Sequence, residues 1–185
     1  MTSTELCQLT ACQQKTRFDR GQTSAAELLE AHLMQIEQVN PDINAVITLN
    51  AEAALEQALV IDRKRADREP LGPLAGLPMA HKDLTLTKGM RTTFGSPRFK
   101  DYIPSEDSEL VRRLRNANAV TLGKTNTPEW GAGSQTFNTL FGATRNPFDP
   151  TKTSGGSSGG AAAGCGRARN TCASRRQELP RAILP

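Results

Sequence analysis

Five segments in fixed order leave this chain few architectures. Residues 43–49 (Ile-Asn-Ala-Val-Ile-Thr-Leu) are short and β-branched and read as a strand, and Asn50 can cap an alanine-rich helix from Ala51 to about Asp67. Residues 79–84 form a short, mostly apolar run. Ser105-Glu106-Asp107 opens a helix whose apolar side is Leu110, Leu114 and Ala117, and residues 119–126 read as a buried strand that leaves into a loop. The order strand, helix, strand, helix, strand predicts an α/β sheet with helices on its faces. Upstream, Ser24-Ala25-Ala26-Glu27 has capping-box spacing. Leu29, His32, Ile36 and Val39 then recur at helical intervals until Asn40-Pro41 stops the pattern. A weaker helix precedes this one, over residues 4–18. His32 falls on the apolar stripe, where a hydrogen-bonded packing role outweighs a ligand role.

The sequence of 185 residues suits one ordinary domain. Aromatic residues make up only 4% of it, with Trp130 and Tyr102 the sole members of their kinds, which argues against stacking surfaces for single-stranded nucleic acid. The net charge of +4 is local. Residues 1–164 are balanced, and the excess sits in Arg167, Arg169, Arg175, Arg176 and Arg181 against Glu178, so the basic character marks the tail and no nucleic-acid-binding face. Cys7, Cys12, Cys165 and Cys172 show neither zinc-site pairing nor the density of a disulfide scaffold and read as free thiols. No apolar run reaches membrane-span length and the N-terminus lacks signal-peptide character, so a cytoplasmic protein without a membrane partner is expected.

Several short stretches invite chemical readings. Thr153-Ser154-Gly155-Gly156-Ser157-Ser158-Gly159-Gly160 sets two serines between glycine pairs; such runs are most often linkers, or else serve through backbone shape and hydroxyl chemistry. Lys82 lies inside an apolar run, where burial disfavours its charge, and Asp83 beside it is the simple ion-pair partner for a lone lysine. Gly123-Lys124-Thr125 fails as a phosphate loop, because Asn118 stands where the pattern needs its first glycine. Arg63-Lys64-Arg65, flanked by Asp62, Asp67 and Glu69, reads as a solvated helix end.

Four blocks taken together resemble the amidase signature family of serine hydrolases. They are Gly76-Leu77-Pro78-Met79-Ala80-His81-Lys82-Asp83, Leu122-Gly123-Lys124-Thr125-Asn126-Thr127-Pro128-Glu129-Trp130-Gly131, Phe141-Gly142-Ala143-Thr144-Arg145-Asn146-Pro147 and Ser154-Gly155-Gly156-Ser157-Ser158-Gly159-Gly160. The resemblance covers residues 23–163 and implies the N-terminal part of that α/β fold, with an incomplete mixed β-sheet carrying helices on its faces. It implies a Ser-cisSer-Lys triad in which Lys82 is the base and Ser157, behind a cis Gly156–Ser157 bond, is the bridging serine. Ser158 would be a supporting donor, and Gly131, Gly133 and Ser134 would line the acyl pocket. His81 is given no catalytic part. The resemblance implies a small-molecule amide as substrate and neither metal nor cofactor; it leaves a homo-oligomer open for the intact form. Thr127-Pro128-Glu129-Trp130 looks like the broad amidase branch acting on small or acyl amides rather than the branch that makes amide donors for misacylated tRNA.

The resemblance stops near Ala163. The family's nucleophilic serine lies roughly two dozen residues beyond the bridging one, inside a Gly-Gly-Ser block whose backbone N–H groups hold the oxyanion. Counting on from Ser157 reaches Arg181, and after Ser158 only Ser174 remains, between Ala173 and Arg175. Residues 1–163 are therefore expected to form a partial amidase signature domain. Residues 164–185 are expected to be a disordered, non-family tail of the kind a frameshift near codon 163 produces. A chain so built would expose strand edges and apolar faces and would have little or no activity. The alternatives are a non-catalytic fragment that binds amides or a partner, and one half of a split amidase.

Overall fold

The computed structural model describes residues 2–167. Three helices open the chain: α1 (Ser3–Gln8), α2 (Ala11–Asp19) and α3 (Ala25–Ile43). Each starts at a reciprocal capping box, from Thr2 to Glu5, Thr10 to Gln13 and Ser24 to Glu27. The Thr10 box is why the single weak helix expected over residues 4–18 is two helices. Its hydroxyl and backbone are committed to Gln13, and Leu9 before it is extended.

Helix α3 runs past Pro41 to Ile43, further than the sequence pattern suggests. A proline in the last turn forfeits one backbone bond there without breaking the turns before it. Asn44 closes the helix in the left-handed region, donating its N–H to Asn40 O at 2.7 Å. The Asn40 amide then takes Ala45 N and Val46 N at 2.9 and 2.8 Å and donates to Val46 O at 2.8 Å. The strand expected from residue 43 therefore begins at Val46, and Ile43 is instead a buried helical residue packed with Ala45 and Ala163.

Strands β1 (Val46–Leu49), β2 (Pro78–Lys82) and β3 (Val120–Thr125) form a sheet in the order β1-β3-β2, with α4 (Ala51–Ala66) and α5 (Glu109–Asn116) as connectors. β3 runs antiparallel to β1 and parallel to β2, so the sheet is mixed, and all of β3 is buried. Helices α3 and α4 pack together, with Phe18, Leu28, Leu29, Ala54, Ala58 and Ile61 meeting Val120 and Leu122 of β3. The α/β architecture read from the sequence is the one observed.

Two local expectations are corrected. The α4 end is not merely solvated: Arg65 donates to Phe18 O and Thr23 O at 2.6 and 2.7 Å, with its guanidinium 4.4 Å from the Phe18 ring. Asp62 meanwhile accepts Ala25 N and Ala26 N at the start of α3. In α5 the cap is Ser108, and the inward residue is Val111 while Leu110 is 57% exposed. Adjacent helical positions point about 100° apart, so only one of that pair can face the sheet.

Beyond the sheet, the short strands β4 (Phe137–Asn138) and β5 (Gly142–Ala143) make a hairpin, and α6 (Gly159–Arg167) packs on β1, β2 and β3. α6 continues beyond Ala163; the rest of the expected tail, Ser174 included, lies outside the described residues. Among the described residues no helix is long and apolar enough to cross a membrane.

Candidate active site

Lys82 ends β2 and pairs in register with Thr125 of β3, so its side chain is set by the central strand. The serine turn is fixed from three sides. Thr136 donates its hydroxyl to Gly155 O at 2.8 Å and accepts Gly159 N at 2.9 Å, spanning the turn from end to end. Thr127 donates to Ser157 O at 3.3 Å. Gly156 lies so close to the backbone of Ser134 and Gln135 that a β-carbon there would stand 2.9 Å from Gln135 C. Underneath, Asn138 donates to Asn126 Oδ1 and Thr127 O, both at 2.8 Å, and Asn126 donates to Thr144 Oγ1 at 3.0 Å. The polar residues around the Gly/Ser run thus tie it to the sheet and the hairpin, and the linker reading fails.

The Gly156–Ser157 peptide bond is cis. Lys82 Nζ donates to Ser157 Oγ at 2.7 Å and to Ser158 Oγ at 3.1 Å. Burial holds the Lys82 ammonium below its ordinary pKa, and among the described residues no carboxylate forms an ion pair with it. An amine shifted this way is a better proton acceptor near neutral pH than a solvated lysine.

Asp83 is not the partner of Lys82. Its carboxylate is fully buried and accepts the N–H of Thr93 at 3.1 Å and the Thr93 hydroxyl. Burial raises its pKa, with the Thr93 bonds and the Lys124 charge opposing. Its backbone bonds Thr125 O and Phe94 N, so Asp83 fastens the segment after Lys82 to β3 and to the 92–96 loop.

Lys124, which the sequence offers only as a failed phosphate ligand, has a different place. It is fully buried beside His81 in the β2–β3 register, and its amine donates to Thr85 O and to Thr87 Oγ1 at 3.1 Å. Burial lowers its pKa to about 8, with Asp83 and Asp107 opposing. His81 faces Thr121 Oγ1 at 3.2 Å, and burial first, then Lys124 and Arg115, take its pKa down to about 4. A lysine inside a strand, followed by threonines, was the available signal for such a buried polar cluster.

The loop of Gly131, Gly133 and Ser134 approaches Leu84 at one end and Gly156 at the other. A β-carbon at Gly131, whose φ is +71°, would stand 2.6 Å from Leu84 Cδ1, and the Ser134 end abuts Gly156. Among the described residues no group of three or more His, Cys, Asp or Glu side chains is arranged to hold a metal ion.

The Amidase family model matches residues 27–171, and the chain belongs to the amidase family. A glutamyl-tRNA(Gln) amidotransferase subunit from Salinispora arenicola (strain CNS-205) is 46% identical over 160 residues, covering 86% of this chain and 33% of the relative. A bacterial aryl acylamidase of the amidase signature family superposes with a TM-score of 0.81 at 36% identity, over 84% of this chain and 33% of its own. A 6-aminohexanoate cyclic dimer hydrolase does so at 0.80 and 36%, over 89% and 33%. The chain thus spans about a third of the length of the relatives it matches, which include both amide hydrolases and part of an amidotransferase.

Proposed function

We propose that the chain carries the proton-relay half of an amide hydrolase that cleaves small carboxylic amides through an acyl-enzyme. The observation that carries this reading is the 2.7 Å contact of Lys82 Nζ with Ser157 Oγ, with Ser158 Oγ at 3.1 Å. In the reaction a neutral Lys82 accepts the Ser157 proton as Ser157 takes one from the attacking hydroxyl. The amine then returns a proton by the same route to the departing nitrogen. Ser158 supports the Lys82 amine, and the loop of Gly131, Gly133 and Ser134 lines the acyl side. Cys7 and Cys12 are free thiols, which suits a reducing compartment, and the cytoplasm is proposed as its place of action.

No Gly-Gly-Ser block follows Ser158, so the 185-residue polypeptide is proposed to turn over amides slowly or not at all. The test is hydrolysis of simple aryl and alkyl amides by the purified chain, with Lys82→Ala alongside. The expected rate is that of buffer. Turnover lost in Lys82→Ala would overturn the inactivity and keep the base; turnover indifferent to Lys82→Ala would overturn the base as well.

A second reading, one half of a two-chain amidase, draws on the Lys82–Ser157 contact with no Gly-Gly-Ser block after Ser158. Co-purification with a separately encoded C-terminal half supports it, and an amide-binding monomer with no such partner points to a binding fragment.

A further inference from the structure

The sequence holds six Phe, one Tyr and one Trp, and of these only Phe18 belongs to the buried main core. Four of the others, including the sole Trp and the sole Tyr, are gathered in one place. Phe94 stacks on Trp130 (centroids 5.2 Å apart, planes 13° apart) and on Tyr102 (6.1 Å, 23°), and Phe99 meets all three edge-on at 5.2 to 5.7 Å. The group is not a buried core: Trp130 is 52% exposed and Tyr102 38%. A chain this poor in aromatics spends half of them on a partly open stack.

The backbone beneath is unusual in the same way at both main rings. Phe94 has φ +55° and Trp130 φ +54°, and each is followed by a glycine of positive φ, Gly95 and Gly131. Large side chains in the left-handed region cost on the order of 1–3 kcal/mol each and concentrate at ligand sites. The two turns are joined by Trp130 N donating to Phe94 O at 2.7 Å. They also belong to the segments that build the site. Phe94 N bonds Asp83 O beside Lys82, and Trp130 opens the loop that runs from Leu84 to the backbone against Gly156.

We propose that Trp130, held flat by Phe94 and Phe99, forms a platform for the aromatic ring of an amide substrate, making this site selective for aryl-bearing over saturated amides. The amide part of this inference rests on the proposed hydrolase reading; the ring part rests on the platform alone. An indole face open on one side and stacked on the other suits a planar, uncharged ring, whose offset stacking contributes beyond the area it buries.

Because Trp130 is the only tryptophan, the intrinsic indole emission of the full chain reports on this platform directly. Benzamide and its saturated counterpart cyclohexanecarboxamide are titrated into the purified protein. The expected result is saturable quenching by benzamide, with affinity roughly two- to tenfold above that for cyclohexanecarboxamide. Calorimetry on Trp130→Ala, with circular dichroism to check its fold, should lose that preference. In case that variant misfolds, protection of Trp130 from acrylamide quenching by benzamide in the unaltered chain gives the same answer. Emission indifferent to saturating benzamide, or equal affinity for the two amides, overturns the proposal. The ring preference should persist in Lys82→Ala. If it persists while Lys82 and Ser157 substitutions leave amide affinity untouched, the hydrolase reading fails and the platform stands. If Trp130 is silent while those substitutions matter, the reverse holds.

Discussion

Lys82 Nζ and Ser157 Oγ lie 2.7 Å apart although 75 residues separate them, and each is placed by an element that does not contain the other. Lys82 is delivered by β2, and Ser157 by a turn braced on the hairpin and on Thr127. Titration of the lysine ε-carbons by NMR should therefore show Lys82 deprotonating at lower pH than the free amino acid side chain. Ser157→Ala should perturb the Lys82 resonance. A Lys82 midpoint equal to that of the free side chain would remove it as a base.

Acid should destabilise the protein through its two histidines. Burial takes both His32 and His81 from 6.5 to about 4. Between those values the unfolded chain binds more protons than the folded one, so stability falls as pH drops from 6.5 towards 4, by at most about 3 kcal/mol per histidine. His32 Nε2 faces Gln14 Oε1 at 3.3 Å, which leaves Nδ1 towards the Cys7 thiol at 3.8 Å. Urea midpoints measured from pH 7 to pH 4.5 should show the loss, and His32→Gln should lessen its slope.

Gly160→Ala gives a result whose sign is diagnostic. Helix propensity alone favours alanine inside α6 by about 1 kcal/mol. A β-carbon at Gly160, however, would stand 2.4 Å from the Asn126 backbone nitrogen and 2.9 Å from Ala45 O. The expected outcome is a net loss of about 2 kcal/mol or more in chemical denaturation, since neither backbone can yield without moving β3.

Arg65→Leu should cost about 2 kcal/mol, although a leucine at the end of α4 would be neutral on a solvated surface. The change takes the guanidinium donor from Thr23 O and from Phe18 O, the latter keeping Gly21 N at 3.0 Å, and removes the cation over the Phe18 ring. Lys64→Leu, one residue earlier, should lie within about 0.5 kcal/mol of the parent. A thermal or urea comparison of the two variants checks the contrast.

Most of the architecture was legible because its signals are local. The capping residues Ser24 and Asn50, the β-branched runs and the alternation of elements act within a few residues, and the structure returns them with shifted ends. What the pattern could not carry was tertiary in origin. Pro41 has the character of a stop, yet the Asn40 side chain and Asn44 close the helix beyond it. Asp83 has the character of a partner for Lys82 because it is adjacent. Asp83, however, lies just past the end of β2 in a turn, and Thr93, ten positions away, takes its carboxylate. Within the site, Lys82 and Ser157, both named from the sequence, lie 2.7 Å apart, and the four-ring stack had no sequence signal, since its members are spread from Phe94 to Trp130 among glycines and prolines.

Thr136 holds both ends of the serine turn with one hydroxyl, and Thr136 sits just before the β4–β5 hairpin rather than in the sheet that carries Lys82. The hairpin therefore acts as a gauge block between Lys82 and the serine turn. Fraying of that small unit would part the hydroxyls from the amine while the β1-β3-β2 sheet stayed paired, so the Lys82–Ser157 contact and global stability can be lost at different denaturant concentrations.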